Sequence, residues 1–110
     1  MSDKKDNCPC MDPCPLESAL TLIGGKWKIP IVCALHQDGA TRYNTLRRKL
    51  GITNTMLASS LRELEAAGLV RREQFMEMPL RVEYSLTELC RNLIPILNQL
   101  ARWGAGVTAF

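Results

Sequence analysis

The stretch from Lys49 to Val70, KLGITNTMLASSLRELEAAGLV, restricts the possible architectures of this chain more than any other. A basic, partly apolar segment stops at Gly51, and a new segment restarts with short polar side chains set between leucines. Leu57, Leu61 and Leu64 stand at i, i+4 and i+7 and so share one helix face. The other face carries Asn54, Thr55, Ser59 and Arg62. Short hydrogen-bonding groups with one arginine make neither a salt-bridged solvent face nor an apolar seam. They suit a surface that approaches something polar closely. Thr53 is a good N-cap, Gly68 is placed as a C-cap glycine, and the helix between them runs to about Ala67. Upstream, Tyr43, Leu46 and Leu50 form the inner face of a helix from Tyr43 to Leu50 that Gly51 breaks. Two short helices joined by a tight glycine turn form a helix-turn-helix.

The flanking sequence extends this unit. From Leu69 to Phe75 and from Leu80 to Leu86, polar and apolar residues largely alternate around MEMP, which predicts a β-hairpin with an irregular tip. A hairpin directly after a helix-turn-helix makes a winged helix, a mainly α fold with a small β wing. Towards the N-terminus, Pro15 opens a helix whose apolar face is Leu16, Ala19, Leu20 and Ile23, and Gly24-Gly25 ends it. A second helix covers roughly Lys26 to His36. Its Pro30 is harmless only in a first turn, so the helix either starts near Trp27 or is kinked. Thr87 caps a long final helix. Leu89, Leu93, Ile96, Leu100 and Trp103 form one stripe on it, with Ile94, Leu97 and Ala101 beside them. The pair of stripes is wider than a small domain covers, so one of them predicts a homodimer interface. Residues 1–13 read as a flexible arm that carries cysteines, and 14–110 as one domain.

Charge supports a nucleic-acid surface through its distribution. The net charge of the 110-residue chain is only +3, but Arg42, Arg47, Arg48 and Lys49 form a run without an acid. A basic patch beside a polar helix face is a phosphate footprint. In such an arrangement the leucine stripe anchors the second helix, its polar face lies in a major groove, and Arg81 near the hairpin tip reaches the adjacent backbone or minor groove. The N-terminus, MSDKKDNCPC, lacks the apolar core of a secretory signal, and no apolar run reaches the ~18 residues of a membrane span. A cytoplasmic protein without a membrane partner is expected.

Five cysteines, an odd number, argue against a disulfide framework. Cys33 and Cys90 lie in apolar helical patterns and read as buried, inert thiols. Cys8, Cys10 and Cys14 form a cluster with the wrong spacing for a four-ligand zinc site and no histidine nearby, so no metal or other cofactor is expected. His36, the sole histidine, pairs with no nucleophile by any motif, which argues against an enzyme.

The segments CPLESALTLIGGKWKIPIV, RYNTLRRKLGITNTMLASSLRELEAAGLVRRE and PLRVEYSLTELCRNLIPIL, with LARWG after them, resemble the HxlR-type winged-helix transcriptional regulators across about residues 14–104. The resemblance implies a dimeric DNA-binding regulator, commonly a repressor, with its wing at MEMPLRVEY. Thr53 to Arg62 then carries the recognition helix, and Lys26 and Arg42 fall near the DNA backbone. Two such helices about a two-fold axis imply a pseudo-palindromic double-stranded operator. The chain departs from the family pattern at Pro30 and at Cys90. Cys14 stands where a helix dipole favours a thiolate, and a cysteine before Pro-x-Glu is the sensor in several members of the family. The position and the resemblance together imply redox or electrophile sensing at Cys14, and the flexible arm can bring Cys8 and Cys10 near it as resolving thiols. Two other readings stay open: control by a metal at the N-terminal cysteines or by another ligand, and a winged-helix module that binds protein.

Overall fold

The apolar periodicities become six helices and three short strands in a computed structural model that describes residues 14–108. The arm 1–13, with Cys8 and Cys10, lies outside the described residues. Helix α1 (Pro15–Ile23) has proline in its first turn, where an N–H would have no intrahelical partner. It ends at Gly24, where a Cβ would stand 2.6 Å from the Leu20 carbonyl oxygen, so only glycine fits. No residue of α1 is buried.

Helix α2 (Lys28–Asp38) follows, with Trp27 at its N-cap. Pro30 is thus in the first turn, which settles the choice between a late start and a kink in favour of the late start. Ile31, Val32, Ala34 and Leu35 are buried, whereas Cys33 is exposed, contrary to the sequence expectation. At about 100° per residue, Cys33 falls opposite the mean direction of those four. Cys90 is fully buried, as expected.

Strand β1 (Thr41–Arg42) pairs antiparallel with β3, with Thr41 facing Tyr84 and Arg42 facing Glu83. Two residues are too few to show an alternating pattern, so this strand has no signature in the sequence. Helices α3 (Tyr43–Leu50) and α4 (Asn54–Ala66) follow, then β2 (Val70–Phe75) and β3 (Arg81–Leu86), in a sheet of order β1-β3-β2. The hairpin and the α3 limits match the expectation closely, and α4 ends one residue early with Ala67 as its C-cap. The core gathers Ile31, Leu35, Leu46, Leu57, Leu61 and Leu64 with Val70 of β2 and Leu86 of β3.

The single long final helix is corrected to two. Helix α5 (Glu88–Arg91) stops, and α6 (Ile94–Thr108) begins after Asn92 and Leu93. Pro95 is the cause: it has no N–H for the Arg91 carbonyl and its ring would clash there, whereas the second position of a new helix tolerates it. Cys90 and Ile94 enter the core and Leu97 packs against it. The other stripe stays outside, with Leu89, Ile96, Leu100 and Trp103 exposed and Leu93 half-buried.

Candidate nucleic-acid interface

The turn between α3 and α4 depends on Gly51, whose φ of 64° is left-handed. Its N–H donates to the Arg47 carbonyl at 2.9 Å, closing α3. The Thr53 hydroxyl then accepts from the Met56 N–H at 3.2 Å and opens α4. Across the turn, the Tyr43 hydroxyl lies 3.1 Å from the Asn54 carbonyl oxygen and 3.2 Å from its Oδ1. One aromatic side chain thus ties the start of α3 to the start of α4.

With Leu57, Leu61 and Leu64 buried, the opposite face of α4 is presented outward. Thr53, Asn54, Thr55 and Arg62 are exposed, and Ser59 is half-buried on the same helix. Met56 is also exposed and adds an apolar group that the sequence pattern had not singled out. A thioether beside threonines suits contact with a thymine methyl, whereas Asn54 keeps its NH2 for a base acceptor.

The basic run divides once its partners are known. Lys49 is held by Asp38 at 2.6 Å. Arg42, Arg48 and Arg62 make no ion pair with any carboxylate among the described residues, so their charge is available outward. Arg48 was visible in the run but not as an individual contact. Its role emerges from a cleft of about 460 Å³ between the start of α3 and the wing, lined by Arg42, Asn44, Thr45, Arg48, Leu80 and Arg81 among others and by no carboxylate. Arginines and small polar groups at a helix N-terminus, without an acid, are what a backbone phosphate requires.

Arg81 is placed differently from the expectation of a reach towards DNA. Its guanidinium stacks on Phe75 at 4.1 Å and pairs with Glu77 at 2.9 Å and Glu83 at 3.6 Å, so its charge is spent inside the wing. Lys26 lies in the α1–α2 loop, 5.2 Å from the Trp27 ring, and no ion pair among the described residues joins it to α4. Its neighbour Lys28 does make that link, with an ion pair to Glu63 of α4 at 2.8 Å. The hydrogen bond from Lys28, reinforced by its charge, holds the Glu63 carboxyl below its usual value. The acid that follows Arg62 in the sequence is thereby paired.

Cys14 is the N-cap of α1, half-buried, with its carbonyl accepting from Ser18 N–H at 3.1 Å. It lies on a different element from α4. No single helix among the described residues is long and apolar enough to cross a membrane.

The sequence from residue 22 to residue 109 matches the HxlR-like helix-turn-helix family. The chain belongs to that family. The HTH-type transcriptional regulator YybR of Bacillus subtilis is 49% identical over 105 residues, covering 94% of this chain and 83% of that protein. Among solved structures, the redox regulator HypR in its oxidized form superposes with a TM-score of 0.75 at 48% identity, over 84% of this chain and 96% of that one. The HTH-type transcriptional regulator ytcD superposes at 0.82 with 41% identity, over 87% and 98%. The HxlR-type chain is therefore a transcriptional regulator with a DNA-binding winged helix.

Proposed function

We propose that this regulator is a homodimeric, cytoplasmic repressor that reads a pseudo-palindromic operator with the outer face of α4 and has no catalytic role. The observation that carries the reading is the juxtaposition of that face with the acid-free basic cleft. One surface offers base-reading groups at Asn54, Thr55, Ser59 and Arg62, and phosphate-holding groups at Arg42 and Arg48. The exposed stripe Leu89, Ile96, Leu100 and Trp103, together with Leu16, Leu20 and Leu22 of α1, supports a second copy as its cover. Footprinting on a duplex selected by the protein from a randomised library tests the reading. Two protected half-sites about one helical turn apart support it; protection of a single unpaired site refutes the dimeric arrangement.

The same proposal places the signal at Cys14. HypR, a structural neighbour described in oxidized and reduced forms, is a redox regulator. Cys14 stands at the N-cap of α1, directly before Pro15. Diamide takes two electrons and two protons from a pair of thiols, joining Cys14 to the partner's Cys14 or to Cys8 or Cys10. A quinone instead adds to one thiolate. Either change alters α1, which lies on the exposed apolar side with α6, and so turns the two reading heads relative to each other. Cys14→Ser removes diamide-induced release from DNA. Unchanged release in that variant assigns sensing elsewhere.

A further inference from the structure

The wing tip is unusually apolar. Met76 is 85% exposed, Met78 97% and Leu80 57%, so three large apolar side chains stand in water within five residues. Loop tips are ordinarily polar, and no described residue covers this one. The base of the tip is braced, because Arg81 stacks on Phe75 and binds both Glu77 and Glu83. That network also neutralises Glu77, the tip's own acid.

We propose that Met76 to Leu80 form an apolar wedge that enters the DNA minor groove next to the reading helix and opens a base step there. The inference rests on the reading above that α4 lies in the major groove. Leu80 and Pro79 line the same basic cleft as Arg42 and Arg48. A phosphate held in that cleft therefore sets the tip against the neighbouring groove, and the cationic cleft complements the DNA charge on both sides of it. The minor groove is only about 6 Å wide, and its base edges carry a degenerate hydrogen-bond pattern. An unbranched, polarizable thioether is slender enough to enter and needs no hydrogen bond. Apolar side chains inserted between base steps unstack and bend the duplex. A protein partner is the weaker occupant, since a specific interface buries about 800 Å² per side and this tip is a few side chains wide.

The wedge reads deformability instead of base identity. Flexible pyrimidine–purine steps open easily, whereas A-tracts resist. The test uses a duplex selected by the full chain from a randomised library, bound by wild type and by the double variant Met76→Ala, Met78→Ala. Both residues are too exposed for their truncation to disturb the fold. The double variant loses roughly five- to tenfold in affinity, bends the duplex less in a circular-permutation gel, and keeps the wild-type salt dependence. Replacing the flexible step under the wing by an A-tract costs wild type a similar factor and the variant nothing more. Wild-type affinity and bending in the variant overturn the wedge; if repression in cells is then lost, the tip meets a protein. Arg48→Ala and Arg62→Ala run in parallel. If they weaken binding while the methionine variant does not, the wedge alone fails. If all three bind as wild type, the α4 reading fails with it.

Discussion

Tyr43 and Asn54 stand eleven residues apart and meet across Gly51, the tyrosine hydroxyl within 3.2 Å of both oxygens that Asn54 offers. The contact fixes the angle at which α4 leaves the turn. Tyr43→Phe keeps the ring packing and removes the bond. Because the site is exposed, the stability loss is about 0.5–1 kcal/mol. Operator affinity falls further than that loss explains, since recognition requires α4 in place. Thermal unfolding and a binding titration on the same preparation separate the two effects.

Base readers and phosphate holders differ in how salt and sequence affect them. Arg62→Ala and Asn54→Ala each weaken specific binding by roughly 1–3 kcal/mol and leave non-specific binding nearly unchanged. Arg48→Ala weakens both alike and lowers the salt slope by about one. Filter binding across a salt series checks this.

The Lys28–Glu63 pair gives a pH signature. Folding lowers the Glu63 pKa, so the unfolded state binds the proton more readily. The resulting stabilisation is present above the unfolded carboxylate value and disappears as pH falls through the folded one. Glu63→Gln therefore flattens the acid limb of the stability curve below about pH 4.5 by removing, at neutral pH, the small solvent-screened increment that the pair supplies. Urea unfolding between pH 3 and 7 is the measurement, and an unchanged acid limb in the variant would count against the pair.

Oligomeric state reports on the exposed stripe. Leu100→Glu places a charge within it, and the protein sediments as a monomer at micromolar concentration, with its helix content retained. Trp103→Ala gives an intermediate shift. A dimer that survives both substitutions lies on another surface.

Cysteine reactivity divides by burial. Desolvation pushes the Cys90 thiol up, and its side chain is inaccessible. Iodoacetamide labels Cys33 in the native protein, while Cys90 reacts only on the timescale of unfolding. Peptide mapping by mass spectrometry after short exposure shows the order.

The helix-turn-helix was legible because its signals are local and concordant. Gly51 permits a left-handed turn, Thr53 caps, and the leucines repeat at helical spacing, so α3 and α4 could be bounded to within a residue. The hairpin followed from alternation. Other features depend on partners distant in sequence. Strand β1 exists because β3 passes beside it, and Cys33 sits in a continuous apolar run whose orientation no periodicity reveals. Arg81 looked like a cation at a tip until Phe75, Glu77 and Glu83 were seen around it. The cleft that gives Arg48 its role joins α3 to the wing across some thirty residues. Pro95 is the exception. Its meaning was local, and the strength of the leucine pattern on both sides concealed it.

That proline turns what would be a rod into a jointed arm. On one side, α5 is clamped: Thr87 donates to the Gly68 carbonyl at 2.7 Å, and Cys90 is sunk in the core. On the other, the 15 residues of α6 extend about 22 Å. A lever of that length converts a ten-degree swing at Asn92–Leu93 into a displacement of about 4 Å at its far end. Because Ile94 and Leu97 also hold the first turn of α6 to the core, such a swing must slide those two side chains over it, and torque between the long arm and the domain that holds α4 passes through that small apolar contact as well as through the two residues outside any helix.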